Sequence, residues 1–110
     1  MAKNPNDYKD EGNKYFKAQR YQDAINAYTS AIQINPREAS YFANRAACYL
    51  SLKKFQNTIE DCNKALTLDP NFAKALRRRA LAFMNLLKFE ESIADFKKAL
   101  TIEKDLTIQR

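Results

Sequence analysis

One period governs this sequence. Slid against itself, the chain superposes Tyr15, Tyr49 and Phe83, then Tyr21, Phe55 and Phe89, then Ile25, Ile59 and Ile93, each member 34 residues from the next. Ala31, Ala65 and Ala99 obey the same interval, as do Ile32, Leu66 and Leu100, and Pro36 with Pro70. Small residues recur at Gly12, Ala46 and Ala80, and again at Ala24, Thr58 and Ser92. A repeat of this length is one supersecondary unit that cannot bury its apolar face alone, so its copies must stack into one continuous core. The natural frame is Pro5–Glu38, Ala39–Phe72 and Ala73–Leu106, a single domain filling residues 1–110.

Inside the frame, the spacing is helical. In the middle repeat Phe42, Ala46, Tyr49 and Leu50 share one helix face, and Ile59, Cys62, Ala65 and Leu66 share another. Each half-repeat therefore reads as an amphipathic helix of about 12 to 14 residues. Pro36 and Pro70, preceded by Asn35 and Asp69, end the second helices, because the residue before Pro is biased out of the helical region. The breaks within repeats, after Ala18, Leu52 and Leu86, carry no Gly but a recurring pair of a base and an aromatic, Arg20-Tyr21, Lys54-Phe55 and Lys88-Phe89. Composition agrees: sixteen Ala, one Gly and no Val argue against a sheet, which favours β-branched residues and Gly-rich turns. The expectation is an all-α chain.

Several chemistries are excluded by what is missing. There is no His, and Cys48 and Cys62 form no Cys-x-x-Cys pair, so neither a zinc or haem site nor a His-assisted nucleophile can be assembled. One Gly cannot build a phosphate-cradling loop. No cofactor and no enzymatic activity are expected, and the two cysteines read as small packing residues. No stretch approaches the roughly 20 apolar residues of a membrane span. The leading Met1-Ala2-Lys3-Asn4-Pro5 has no apolar run behind it, so the expectation is a cytoplasmic protein with no membrane insertion.

Because the periodic residues are explained by the core, function is to be sought where the repeat is broken. On the first helices those residues are Lys9 and Asn13, then Asn44, then Lys74 with Arg77, Arg78 and Arg79. Lys9 and Asn13 are four apart, as are Lys74 and Arg78, so each pair stands on one helix face. If the first helices line one groove, three cations and two amides converge there without a carboxylate. That set suits an anion, and in particular two carboxylates held close together. Phe16, Ala47, Leu50, Leu81 and Asn85 are further groove candidates, and Arg77 is expected at its border. Arg79 points elsewhere, toward a second helix or solvent, since successive helical residues diverge by about 100°.

With its 34-residue helix-turn-helix period, the chain resembles the tetratricopeptide repeat family over nearly its whole length. Where the family prefers Trp at the fourth position this chain has Tyr8, Phe42 and Leu76, and the Gly of the eighth survives only as Gly12. The resemblance implies three repeats in a right-handed superhelix whose concave groove, lined by the first helices, holds an extended peptide. The segments Lys9-Asp10-Glu11-Gly12-Asn13, Asn44-Arg45-Ala46 and Lys74-Ala75-Leu76-Arg77-Arg78 further resemble the two-carboxylate clamp of co-chaperone members. By that resemblance the partner is the C-terminal Glu-Glu-Val-Asp tail of the 70- and 90-kilodalton heat-shock chaperones. Lys9, Asn13 and Asn44 would take its main-chain carboxylate, Lys74 the Asp side chain, and Arg78 the peptide backbone or an upstream group.

Net charge supports a localised site. The chain carries +6, of which the three repeats contribute 0, +1 and +3 in order, so the excess lies toward the third. Nucleic-acid binding there is disfavoured, because Glu90, Glu91 and Asp95 interleave the bases and the core consumes the aromatics. A general scaffold, or self-association through the last repeat, is the competing reading. Lys104 stands where the other repeats have Pro, and Phe96 and Ala99 are expected to face a partner. Either residues near Leu106 and Ile108 prolong the last helix, or another chain covers this surface, or these 110 residues are one domain of a larger protein.

Overall fold

The computed structural model describes residues 3–109, with side chains as far as Asp105. Six helices follow one another: α1 (Pro5–Lys17), α2 (Tyr21–Ile34), α3 (Ala39–Ser51), α4 (Phe55–Leu68), α5 (Ala73–Asn85) and α6 (Phe89–Gln109). Among the described residues there is no strand. The first helices begin 34 residues apart, at Pro5, Ala39 and Ala73.

Local chemistry sets the helix ends. Asn4 caps α1 by accepting from the Asp7 backbone N–H at 3.1 Å, while the Asp7 carboxylate accepts from the Asn4 N–H, and Pro5 occupies the first helical turn. α2 and α4 stop at Asn35 and Asp69, both extended, whose side-chain oxygens accept from the backbone N–H of Arg37 and Asn71 at 3.1 and 3.2 Å. These turns deliver the chain into Pro36 and Pro70.

The glycine-free breaks inside each pair have a common geometry. Gln19, Lys53 and Leu87 all adopt left-handed backbone, with φ of 60°, 59° and 62°. At each break this residue bonds back to the helix, and so does the next, Arg20 to Tyr15, Lys54 to Tyr49 and Lys88 to Phe83, at 2.8–2.9 Å. This is the Schellman ending, which satisfies two orphan carbonyls and ordinarily places Gly at the left-handed position.

Packing runs along the chain. Each helix contacts its sequence neighbours, α1 also touches α3, and α3 also touches α5. Among the described residues, the second helices α2, α4 and α6 make no such contacts with one another, so the array curves with its first helices on the inner side. Close approach between helices of a pair rests on small residues, with Ala46, Ala65 and Ala80 fully buried. Gly12 shows the limit: a Cβ there would lie 2.5 Å from Tyr28 Cε1. The Tyr28 ring fills the space a side chain would have occupied.

Two buried ion pairs repeat with the fold. Arg45 binds Asp61 at 2.7 and 2.8 Å and also donates to Thr29 Oγ1 at 3.1 Å, so one guanidinium links α2, α3 and α4. One period later Arg79 binds Asp95 at 2.8 Å twice and donates to Asn63 Oδ1 at 2.9 Å. Bidentate geometry of this kind fixes orientation as well as distance. The expectation of a second-helix partner for Arg79 is met by Asp95.

The last helix differs from its counterparts. α6 runs to Gln109, well past the point where α2 and α4 stop, so the chain prolongs its last helix. The side chains of Leu106 and Ile108 lie outside the described residues. Ala99 is buried within its own pair and Phe96 is half-buried, but Phe89, Ile93 and Leu100 remain open.

Candidate functional site

The inner surface holds a concavity of about 230 Å³ lined by Asn13, Phe16 and Lys17 of α1, Tyr28 of α2, Asn44 and Ala47 of α3, and Arg78 of α5. The volume corresponds to several waters at about 30 Å³ each, enough for a carboxylate group and part of a side chain. No carboxylate lines it.

Asn13, Asn44 and Arg78, drawn from three helices, meet here. Asn13 Oδ1 accepts from the Tyr28 hydroxyl at 2.6 Å and, at 3.5 Å, from Asn44 Nδ2. Burial pushes the Tyr28 phenol above its ordinary value, so the hydroxyl keeps its proton and acts as donor. With its oxygen so engaged, Asn13 presents its Nδ2 donors to the concavity. The amide orientation is set from beneath.

Arg78 completes the floor. Its Nη1 donates to the Ala43 carbonyl at 2.8 Å, tying α5 to α3. Burial pushes its guanidinium below the usual value and the neighbouring Arg77 charge acts the same way. Among the described residues no carboxylate lies within ion-pair distance of Arg78, in contrast to Arg45 and Arg79. A half-buried cation without an internal counter-charge favours an anionic ligand.

Lys9 and Lys74 stand outside the lining set, Lys9 half-buried and Lys74 exposed. Each lies four residues before a lining residue on the same helix, one turn or about 5–6 Å along the same face. Together they extend the donor surface toward the starts of α1 and α5. Phe16 and Ala47 line the concavity, whereas Leu50, Leu81 and Asn85 do not. Asn85 instead donates to the Leu81 carbonyl of its own helix at 2.8 Å.

Arg77 departs from the expectation of a groove border: it pairs with Glu103. The prolonged α6 brings that carboxylate within reach, and the two residues line a separate hollow with Phe96, Ala99 and Leu100. Two lining residues fall outside the expected set. Lys17 continues the Lys9 and Asn13 spacing by another turn, a signal present in the sequence. Tyr28 sits on a second helix, and only its contact with Gly12 and Asn13 reveals it.

Family models extend across most of the chain. One described as TPR repeat matches residues 12–53, and two described as tetratricopeptide repeat match residues 39–72 and 73–106. The second TPR domain of Spaghetti (RPAP3), solved bound to an HSP90 peptide SRMEEVD, superposes with a TM-score of 0.89 at 36% identity, over 91% of this chain and 93% of that one. The chain belongs to the tetratricopeptide repeat family. The TPR2B domain of yeast Sti1, solved in a complex with an Hsp70 peptide, gives a TM-score of 0.90 at 32% identity, over 94% of this tetratricopeptide chain and 82% of that one. The Hsp70-Hsp90 organizing protein 2 of Arabidopsis thaliana is 48% identical over 44 residues, which is 40% of this chain and 8% of that protein. The chain thus spans less than a tenth of that curated relative. Tetratricopeptide domains of this kind are protein-interaction modules.

Proposed function

We propose that this domain is a co-chaperone adaptor that captures the acidic C-terminal tail of a heat-shock chaperone, of the 70- or 90-kilodalton class. The observation that carries the proposal is the convergence of Asn13, Asn44 and the carboxylate-free Arg78 in one concavity. Lys9 and Lys74 stand one turn away on the same faces. The RPAP3 and Sti1 domains support the reading, since both were solved with chaperone peptides, and the RPAP3 peptide ends in Glu-Glu-Val-Asp. In this assignment Lys9, Asn13 and Asn44 hold the terminal main-chain carboxylate. Lys74 takes the Asp side chain and Arg78 an upstream oxygen, with Phe16 and Ala47 offering apolar contact. A partner of this class implies a cytoplasmic domain. No helix among the described residues is long and apolar enough to cross a membrane.

The decisive test is calorimetric titration of a free-acid Glu-Glu-Val-Asp peptide against the same peptide with a C-terminal amide. The free acid binds at least tenfold more tightly, a difference of about 1.4 kcal/mol. Equal affinities would overturn the clamp. Lys9→Ala and Arg78→Ala each cost more than about 1 kcal/mol, since charge-assisted bonds are lost.

A further inference from the structure

Among the described residues, the apolar face of α6 is open in a measurable way. Ile25 on α2 and Ile59 on α4 are 5% and 6% exposed, whereas their counterpart on α6, Ile93, is 52% exposed. Leu100 is 58% exposed, while its counterparts Ile32 and Leu66 are packed against the core. What covers α2 and α4 is the first helix of the following pair, α3 or α5. α6 has the same apolar face, and among the described residues no helix covers it.

The contacts that seat α3 and α5 also show what an equivalent third seat would meet. Arg45 and Arg79 each reach back sixteen residues to the preceding second helix, to Thr29 and Asn63. On α1 the matching position is Glu11, and on α6 the matching receptor is Lys97. First helices also touch across thirty-five residues, as Tyr41 Oη does with Asn6 Oδ1 at 2.6 Å and Arg78 with the Ala43 carbonyl. Continued by one more helix, that offset sets Asp7 of an incoming α1 beside Lys74, and Asp10 beside Arg77. Three acids therefore fall opposite three bases, of which Arg77 already holds Glu103, so the pairs Glu11–Lys97 and Asp7–Lys74 carry the attraction and the register.

We propose that a second copy of this chain stacks head to tail on the first, its α1 taking over α6 the place that α3 takes over α2. Phe89, Ile93 and Leu100 supply the apolar floor of this contact and Lys97 its central charge. In the isolated chain Glu11 is held by Lys3, and stacking gives it Lys97 as well. The contact is heterologous, so it leaves a free face at each end and does not stop at two copies.

Sedimentation velocity over a concentration series tests this without any peptide. The wild-type coefficient rises with concentration past that of a dimer. Glu11→Lys and Lys97→Glu each set like charges opposite one another and weaken association at least fivefold. An equimolar mixture of the two variants restores it, because at every contact between unlike variants the charges at positions 11 and 97 are again opposite in sign. Both positions are outside the peptide concavity, so at concentrations where the wild type is monomeric peptide affinity is unchanged in both variants. A wild-type chain that stays monomeric throughout would overturn the proposal. So would a dimer that grows no further and ignores Glu11→Lys, which would mean α6 packed on α6.

Discussion

The Tyr28 hydroxyl donates to Asn13 Oδ1 at 2.6 Å across the place where Gly12 lacks a side chain. One glycine on α1 thereby lets a phenol from α2 reach the inner face, where it settles which end of an amide faces the groove. Sequence, packing and site are joined at this contact.

Tyr28→Phe removes the hydroxyl and keeps the ring. Asn13 Oδ1 then loses its best donor, and the amide is free to rotate its oxygen toward an incoming carboxylate. The variant binds the free-acid peptide at least fivefold more weakly and binds the amidated peptide as before, so the preference for the acid shrinks. Its thermal stability falls only by the equivalent of about 1 kcal/mol, the usual value of one hydrogen bond. Should the acid-to-amide preference persist in full, Tyr28 is a packing residue alone.

The recurring pairs Arg45–Asp61 and Arg79–Asp95 contribute to stability and not to the site. Both aspartates are buried, and both guanidinia are bound bidentately. Asp61→Ala and Asp95→Ala each strand a half-buried cation and lower unfolding free energy by about 2–4 kcal/mol in urea titrations. Asp23→Ala removes an exposed partner of Arg20 and changes stability by less than about 1 kcal/mol. Equal effects in the three variants would refute the distinction.

Most of this fold is written in the period, because positions such as Ile25 and Ile59 recur at fixed size and must share one core. The meeting of Asn13, Asn44 and Arg78 was legible for a related reason: they break a pattern whose packing needs are already met. Tyr28 was hidden, since its counterparts Cys62 and Phe96 differ so much in size that the column looks like ordinary packing. Arg77 was misplaced because its partner Glu103 stands in the column of Asn35 and Asp69, where α2 and α4 have already ended. A contact made by a prolonged helix leaves no trace in the period.

The left-handed residues at the breaks offer a gain in stability. Lys53 and Leu87 hold φ near 60° with a Cβ in place, which costs roughly 1–2 kcal/mol per residue, while Gly adopts that region freely. Leu87 is exposed, so its side chain contributes little packing. Lys53→Gly and Leu87→Gly each stabilise by about 0.5–1 kcal/mol after the added freedom of the unfolded chain is subtracted. The two gains add, because the sites lie at separate breaks in different repeats. A lowered midpoint in urea for either variant would contradict this.

The buried thiols predict how the fold fails in base. Cys48 and Cys62 are fully buried, and burial pushes both thiols up to about 12. In the unfolded chain they ionise near their ordinary value of 9.0. A raised folded value means that the stabilising contribution is complete below about pH 9 and is lost as pH climbs from there toward about 12, since the unfolded state sheds its protons first. Each thiol then costs about 1.4 kcal/mol per pH unit inside that window. Urea titrations at about pH 7 and about pH 10 show a larger loss for the wild type than for a Cys48→Ala, Cys62→Ala double variant, in which lysine ionisation is shared and cancels. Iodoacetamide labels neither cysteine at neutral pH until the chain unfolds. Identical losses in the two proteins, or rapid labelling of the native state, would show that the thiols are less enclosed than their packing indicates.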